Sequence, residues 1–379
     1  MSIYLDNAAT TRVCPEAAAA ALKAMTEEYA NPSSTHKMGR NAKKLLDDAR
    51  AKVAKALGCA SDEVYFTSCG SEGDNWAIIQ GARYAGRKGK HIISSAAEHS
   101  AVKKSLEVLE KEGFEITLLY PEKDGSISKE SVLAALRPDT CFISLMLVNN
   151  EVGAITDIAG IAKAVKAKNP NILIHSDAVQ AFLKIPFNAS KLGVDLLAVS
   201  GHKVHAPKGI GALYIKKGLN LPAYITGAGQ EGGKRAGTEA MPQILAFGEA
   251  CESAHLGFAE YHQRLKDLRA HASQRLETEI EDVVIIGGGA PQLLSVALPG
   301  YRSEVIMNFL ESREIYVSKG SACKKGRRSQ VLESMKLPPE VIDGAIRVSF
   351  CRYTTLEEVD ALCDALRDAH QSLRSSVRR

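Results

Sequence analysis

Between about residues 60 and 215, apolar runs of strand length alternate with segments of helical periodicity. The run 141–148 is almost unbroken, which is typical of a strand that is buried on both faces of its sheet. This alternation predicts a mainly parallel sheet with helices on both faces, and therefore an α/β fold. The predicted strands cover residues 64–66, 91–95, 114–120, 141–148, 172–177, 196–200 and 210–215.

The pattern changes after about residue 240, where strands and helices no longer alternate. Residues 242–280 have nearly continuous helical periodicity, broken only around Gly248 and Gly257. Short strands and a closing helix at 355–373 follow them. This order is typical of a smaller α+β domain. We therefore expect a large domain over residues 15–250 and a small domain formed by residues 1–14 and 251–379, which carries a mobile loop at about 318–330.

The composition excludes several classes of protein. No apolar stretch approaches the ~20 residues that span a bilayer, so we expect no membrane segment. The net charge of +4 is a small surplus of 48 Lys and Arg over 44 Asp and Glu, which argues against direct binding of nucleic acid. No signal peptide is visible, and none of the eight cysteines forms a C-x-x-C pair, so we expect a cytoplasmic protein with reduced thiols.

A lysine follows the predicted strand at 196–200. Ligands bind at the carboxyl ends of strands in open α/β folds, and a lysine there can form a Schiff base if it is partly desolvated. Lys203, with Ser200 and His202 beside it, is therefore a candidate site residue. An isolated lysine in a turn is far more often solvated, and the motif alone leaves that alternative open.

Two further strand ends belong to the same predicted edge of the sheet. Asp177 closes the preceding strand, where it is either a helix N-cap or a buried carboxylate that holds a protonated ring nitrogen. Gly70 and Ser71 lie where the segment 67–73 turns from a strand into a helix, and such a turn suits a phosphate group. A phosphate cradle, a ring-nitrogen partner and an amine in chain order together indicate pyridoxal phosphate as the cofactor.

A thiol, Cys323, lies in a Gly/Ser loop that carries five cations: Lys319, Lys324, Lys325, Arg327 and Arg328. Positive charge lowers the pKa of a thiol, so Cys323 is a candidate nucleophile rather than a structural cysteine.

Arg347 lies inside an apolar strand, where it needs either a carboxylate ligand or an Asp or Glu side chain as partner. His99 opens a helix and, taken alone, is a cap or surface residue.

Cys351 lies four residues after Arg347 in the same predicted strand. Residues two apart in a strand share a face, so we expect Cys351 to point to the same side as Arg347. It is therefore either a second thiol that accepts sulfur or a space-filling core residue, and the frequency of buried cysteines favours the second interpretation.

Several longer motifs, spread over nearly the whole chain, resemble those of NifS/IscS-type cysteine desulfurases of the class V aminotransferase family. In chain order they are Tyr4-Leu5-Asp6-Asn7-Ala8-Ala9-Thr10-Thr11, Asn31-Pro32-Ser33-Ser34-Thr35-His36, Glu98-His99, Asn149-Asn150-Glu151-Val152-Gly153, Asp177-Ala178-Val179-Gln180, Ser200-Gly201-His202-Lys203, Arg235-Ala236-Gly237-Thr238 and Gly320-Ser321-Ala322-Cys323.

The resemblance implies the pyridoxal-phosphate transferase fold type I, with a large cofactor-binding domain that has a mainly parallel mixed sheet, and it implies a homodimer. It implies that Lys203 binds the cofactor aldehyde, that His99 stacks on the ring and that Asp177 meets the pyridine nitrogen. Gln180 and Asn150 would lie near the ring hydroxyl. The residues implied to hold the phosphate are Gly70, Ser71, Ser200, His202 and, from the other subunit, Thr238.

The activity that the resemblance implies is conversion of L-cysteine to L-alanine, which leaves a persulfide on an enzyme cysteine. Arg347 would bind the substrate carboxylate, with Asn150 nearby, and Cys323 would be the nucleophile, while Lys203 or His99 moves protons. The implied partner is a sulfur-acceptor protein, either an Fe–S scaffold or a tRNA-thiolation enzyme, and no metal is implied. Two alternatives stay open: another class V enzyme, such as an aminotransferase or a selenocysteine lyase, and a non-enzymatic sulfur-relay or RNA-associated protein.

Overall fold

The computed structural model describes residues 2–319 and 328–377, with side chains to residue 373. The predicted nucleophile, Cys323, therefore lies outside the described residues. In the ranges that are described, no helix is both long enough and apolar enough to cross a membrane.

Strands and helices alternate from residue 64 to residue 215, as the sequence predicts. The strands are β1 (Ile3–Tyr4), β2 (Val64–Thr67), β3 (His91–Ser95), β4 (Glu115–Leu119), β5 (Thr140–Ser144), β6 (Leu173–Asp177), β7 (Leu196–Ser200), β8 (Gly211–Ile215), β9 (Val284–Ile286), β10 (Leu293–Ala297), β11 (Ile315–Tyr316) and β12 (Ala345–Ser349). The α-helices are α1 (Pro15–Thr26), α2 (Lys37–Leu57), α3 (Gly70–Asn75), α4 (Gly81–Ala85), α5 (Ser100–Lys111), α6 (Lys129–Ala135), α7 (Ile158–Lys168), α8 (Met241–Leu256), α9 (Phe258–Glu279), α10 (Ser303–Glu311), α11 (Gln330–Ser334), α12 (Pro339–Asp343) and α13 (Leu356–Val377).

The central sheet has seven strands in the order β2-β8-β7-β6-β5-β3-β4. Six strands run in one direction, while β8 is antiparallel to both of its neighbours, β2 and β7. This mainly parallel mixed sheet confirms the predicted α/β fold class. Two smaller sheets complete the fold: the antiparallel sheet β12-β10-β9 and the parallel pair β1-β11.

Each face of the central sheet is covered by a separate apolar core, because alternate residues of a strand point to opposite faces. In β7, Leu197 and Val199 pack in one core together with residues of α1, α2, α7 and α8. Leu196 and Ala198 pack in the other core, which contains Trp76 and residues of α5. Burial on both faces explains why these strands read as continuous apolar runs in the sequence.

A third core joins β10 and β12 to α9, α10 and α13 in the C-terminal part of the chain. The predicted domain boundary at residue 250 falls inside α8, whose Cys251 and Ala254 still pack in a core of the central sheet. The division of the chain into two domains stays a prediction.

Three local differences from the sequence predictions have physical reasons. The break predicted at Gly257 is confirmed, since α8 and α9 meet there, but no break occurs at Gly248, which lies inside α8 and packs closely against Ala49 of α2. The apolar run 141–148 leaves the strand after Ser144, and its later residues are buried in a loop. The alanine-rich helix α1, which begins with Pro15 at its first position, was not predicted, although proline is favoured there.

The parallel strands of the central sheet all end at one edge. Strand β6 ends at Asp177, and β7 ends at Ser200, which the 3-10 turn Gly201–Lys203 follows directly. Strand β3 ends at Ser95, four residues before His99 at the start of α5. The fold thus brings together three of the predicted site segments that are far apart in the sequence.

Candidate active site

A cavity of about 710 Å³ lies at this edge of the sheet. Ten of the twelve site residues predicted from the sequence line it: Gly70, Ser71, His99, Asn150, Asp177, Gln180, Ser200, His202, Lys203 and Arg347. Thr238 is exposed and does not line the cavity of its own chain, and Cys323 lies outside the described residues.

Lys203 is mostly buried, which removes the alternative of a solvated lysine. Its Nζ donates hydrogen bonds to the backbone oxygens of Ala8 and Ala9, both at 2.6 Å. Burial and, next, the positive charge of Arg347 lower the pKa of Lys203 to about 8. An appreciable fraction of this amine is therefore neutral and nucleophilic near neutral pH.

Asp177 is a buried carboxyl at the end of β6. Its Oδ1 accepts a hydrogen bond from the backbone N–H of Val179 at 2.9 Å. Burial raises the pKa of Asp177, whereas the nearby His99 and Lys203 lower it, so the ionised form depends on positive charge in the cavity. A protonated ring nitrogen would supply such a charge.

Asp74 and Glu98 are two further buried carboxyls on the cavity wall. Asp74 was not singled out from the sequence, and Glu98 was named only as part of the Glu98-His99 motif, without a role. Burial and then the charge of Asp177 raise the pKa of Asp74, and burial raises the pKa of Glu98 to about 8. Glu98 is therefore mainly neutral at pH 7, and a charge on Asp177 disfavours ionisation of Asp74. Position 74 is one helical turn after Ser71 and position 98 directly precedes His99, which are the signals that could have identified them.

His99 is the N-cap residue of α5, and its Nδ1 accepts a hydrogen bond from the backbone N–H of Ala101 at 3.2 Å. Because Nδ1 accepts, the neutral ring carries its proton on Nε2. His99, Asp74 and Asp177 each have a donor atom within 4.8 Å of the others, a set that could also hold a divalent cation.

One end of the cavity is built to receive an anion. Ser200 Oγ is buried and has no hydrogen-bond partner among the described residues. A Cβ atom at position 70 would lie 2.6 Å from Val179 Cγ2, so only Gly70 keeps the backbone in place beside Ser200. Burial lowers the pKa of His202 to about 4, and its Nδ1 lies 3.1 Å from Thr10 Oγ1. A phosphate group fits these residues because it would pair with the unsatisfied hydroxyl.

Arg347 projects from β12 into the cavity, and its side chain is only 5% exposed. Its Nη1 donates to Asn150 O at 2.8 Å, and its Nη2 donates to Asp6 Oδ1 at 2.9 Å and to Ser318 Oγ at 3.2 Å. Of the two partners that the sequence left open, an Asp side chain is the one observed. The guanidinium nevertheless lines the cavity, where a second carboxylate can approach it.

The described residues on either side of the segment 320–327 both contact the cavity wall. Ser318 accepts a hydrogen bond from Arg347 through Oγ, and Ser329 Oγ donates to Glu151 Oε2 at 2.5 Å. Glu151 also lines the cavity, and it lies next to Asn150 in the sequence. Ser318 and Ser329, the described residues that flank this segment, are therefore both held at the cavity wall.

Cys351 is buried and does not line the cavity. Its Sγ accepts a hydrogen bond from Thr354 Oγ1 at 3.8 Å, and burial raises the pKa of the thiol. These contacts favour the interpretation of Cys351 as a space-filling residue. Cys69, by contrast, does line the cavity.

Comparison with known proteins gives a match that runs almost from end to end. The family model described as aminotransferase class V matches residues 3–362. The chain belongs to the class V aminotransferase family. It is 40% identical over 378 residues to a class V relative, the cysteine desulfurase IscS of Dictyoglomus turgidum, with 98% of this chain and 95% of the relative covered.

Solved structures agree with this assignment to the class V family. A NifS-like protein has a TM-score of 0.91 and 36% sequence identity, and the alignment covers 97% of this chain and 99% of that one. SspA in complex with cysteine has a TM-score of 0.79 and 30% identity, with 94% and 100% covered. The resemblance to NifS/IscS-type cysteine desulfurases is thereby confirmed.

Proposed function

We propose that this class V family member is a cysteine desulfurase, which converts L-cysteine to L-alanine. In the overall reaction, the carbon–sulfur bond of L-cysteine breaks and the sulfur bonds to an enzyme thiol. One cysteine and one thiol thus yield one alanine and one persulfide. The observation that carries the proposal is the cavity in which Lys203, Asp177 and Arg347 converge, and the 40% identity to a cysteine desulfurase over the whole chain supports it.

The cofactor of the proposed reaction is pyridoxal phosphate, and the cavity residues fit it. The unsatisfied hydroxyl of Ser200 and the space at Gly70 suit the phosphate, and the carboxyl of Asp177 suits the ring nitrogen. When bound, the cofactor would supply an electron-poor ring that takes up the electron pair released at the substrate α-carbon. The residues that would hold it are Gly70, Ser71, His99, Asn150, Asp177, Gln180, Ser200, His202 and Lys203.

Lys203 and His99 are the groups that we assign to proton transfer. The lowered pKa of Lys203, about 8, makes its Nζ able both to accept and to return a proton near neutral pH. The bond from Ala101 to Nδ1 keeps the proton of neutral His99 on Nε2. His99 can therefore donate a proton from Nε2, while Lys203 serves as the base.

Arg347 is the group that we assign to the substrate carboxylate. A buried guanidinium forms strong, charge-assisted hydrogen bonds to a carboxylate, and it can do so through two parallel N–H groups. The existing bonds from Arg347 to Asn150 O and Asp6 hold the guanidinium at the cavity wall before substrate arrives. This arrangement selects for an α-amino acid with a free carboxylate.

Cys323 is the thiol that we propose as the sulfur acceptor within the enzyme. The bonds of Ser318 and Ser329 tether the ends of its segment beside the cavity, where the substrate sulfur would be released. From Cys323 the sulfur would pass to an acceptor protein, either an Fe–S scaffold or a tRNA-thiolation enzyme. Reduced thiols suit this chemistry and support a cytoplasmic location.

A homodimer would explain the position of Thr238. Thr238 is exposed and lies outside the cavity of its own chain, so its proposed contact with a phosphate has to be made in a partner subunit. The preceding segment is anchored by Glu231, whose carboxylate accepts two hydrogen bonds from Arg50 at 2.7 Å. This anchor would hold Thr238 at a constant position on the surface of the subunit.

The test of the proposed function compares the wild type with the variant Cys323→Ala. The matched control is Cys59→Ala, because Cys59 is a free cysteine that does not line the cavity. With L-cysteine and a thiol reductant, wild type and Cys59→Ala should release alanine and sulfide in equal amounts, whereas Cys323→Ala should release neither. Consumption of a keto acid without sulfide would identify an aminotransferase instead. Turnover of selenocysteine but not of cysteine would identify a selenocysteine lyase.

A further inference from the structure

Lys184 is a second buried lysine beside the cavity, and the proposed reaction does not use it. It is only 4% exposed, and it follows Gln180 by one turn of the chain after β6. Its Nζ donates to Gln180 Oε1 at 3.0 Å, and among the described residues no carboxylate forms an ion pair with it. Burying a lysine without an ionic partner is costly, because the group must either lose its hydration or give up its proton, so its presence here calls for a functional reason.

The bond from Lys184 settles which way the amide of Gln180 points. Gln180 Nε2 donates to Ala8 O at 2.9 Å, while Gln180 Oε1 accepts from Lys184. If the amide were flipped, its NH₂ group would face the donor of Lys184 and its carbonyl would face the carbonyl of Ala8. The contact between the two carbonyls would be repulsive whatever the charge of Lys184, and the ammonium form of Lys184 would also repel the NH₂ group. The observed orientation is therefore preferred.

We propose that Lys184 is a positioning residue, which holds the Gln180 amide so that its NH₂ group, and not its carbonyl, faces the cofactor cavity. Gln180 Nε2 has two hydrogens and Ala8 O takes one of them, so the second is available to an acceptor in the cavity. This inference rests on the proposed function, in which Gln180 lies near the ring hydroxyl of pyridoxal phosphate. An NH₂ group there stabilises the deprotonated hydroxyl, whereas a carbonyl would destabilise it.

The same oxygen of Ala8 also accepts a hydrogen bond from Lys203 Nζ at 2.6 Å. A continuous chain of hydrogen bonds therefore links Lys184 through Gln180 and Ala8 to the lysine that we assign to the cofactor. Charged and titratable groups around Lys184 are Lys203, Arg347, Cys351, His202, His205 and His262. Burial and then the charges of Lys203 and Arg347 lower the pKa of Lys184 to about 7, and the neutral amine and the ammonium can both donate to Gln180.

The test uses Lys184→Met, which keeps the length of the side chain and removes the donor. The full-length enzyme is loaded with pyridoxal phosphate, and its visible absorption band is recorded as a function of pH. The midpoint of the change gives an apparent pKa. We expect that apparent pKa to rise by about one unit and cofactor affinity to fall about tenfold, because the hydrogen bond to the ring oxygen is weakened. The melting temperature of the apo-protein should fall by only about a few degrees, because Gln180 Oε1 loses one hydrogen bond while no ion pair with a described residue is broken.

A double-mutant cycle with Gln180→Met separates positioning from a general structural effect. If Lys184 acts through Gln180, Lys184→Met should change neither the absorption titration nor the cofactor affinity in the Gln180→Met background. Lys191→Met, a change at an exposed lysine later in the same connection, is the matched control and should behave as wild type. Equal effects in both backgrounds, or a lowered melting temperature with an unchanged absorption titration, would overturn the proposal. A wild-type protein that binds no pyridoxal phosphate would instead refute the proposed function itself.

Discussion

Replacement of Arg347 by lysine keeps the positive charge of the proposed substrate site but removes the planar guanidinium. The guanidinium reaches Asn150 O through Nη1 and both Asp6 and Ser318 through Nη2, at distances from 2.8 to 3.2 Å. A lysine carries its three donors on one nitrogen and cannot reach partners on two sides in this way. The substrate carboxylate would therefore lose at least one charge-assisted hydrogen bond.

The size of the effect follows from the energy of such a bond. A hydrogen bond to a charged group contributes about 1.5–3 kcal/mol, and about 1.4 kcal/mol corresponds to a factor of ten in an equilibrium constant. We therefore expect the KM for L-cysteine to rise on the order of 10- to 100-fold in Arg347→Lys. The value of kcat should change much less, because the carboxylate is bound equally in the ground state and the transition state.

Steady-state release of alanine as a function of L-cysteine concentration measures both constants. The matched control is Arg83→Lys, since Arg83 also binds a carboxylate but lies outside the cavity. Its Nε and Nη2 donate to the two oxygens of Glu112, at 3.0 and 2.5 Å. An unchanged KM in Arg347→Lys would refute the assignment of Arg347 to the substrate carboxylate. An equal rise in both variants would refute the argument from local geometry.

The positions of Asp177 and Lys203 could be predicted from the sequence because Asp177 ends one buried strand of the mainly parallel sheet and Lys203 closely follows the end of the next. Parallel strands end at a common edge, so the order of the strands places the two side chains together without knowledge of their contacts. The lowered pKa of Lys203 could not be predicted, because it depends on burial and on Arg347, which lies far away in the sequence.

The partners of Arg347 and the role of Lys184 also depend on long-range packing. Asp6 and Arg347 are at opposite ends of the chain, and they meet because the N-terminal segment runs along the C-terminal part of the fold, where β1 pairs with β11. Lys184 is one turn after Gln180, a spacing that many lysines share. Its burial distinguishes it, and burial depends on tertiary packing that the local sequence does not reveal.

Three further predictions follow from single observations. Burial lowers the pKa of Lys203 to about 8, so the amine loses its proton between pH 7 and pH 9. The rate at which apo-protein and pyridoxal phosphate form the coloured complex should therefore rise about tenfold over this range, and a flat or falling rate would contradict this. Glu231→Ala leaves Arg50 without its buried carboxylate and should lower the free energy of unfolding by about 3 kcal/mol in urea denaturation, whereas a negligible change would argue against the anchor. Cys351→Ala should leave both persulfide formation on Cys323 and transfer to a dithiol unchanged, and slower transfer would support a sulfur relay.

The most direct test of the proposed desulfurase activity is to locate the sulfur after L-cysteine is added without any reductant. The protein is alkylated and digested, its cysteine peptides are analysed by mass spectrometry, and the alanine released is measured in the same sample. The account predicts one additional sulfur atom on the peptide that contains Cys323, in an amount equal to the alanine formed. Additional sulfur on Cys69 or Cys351 instead, or alanine without any persulfide, would contradict it.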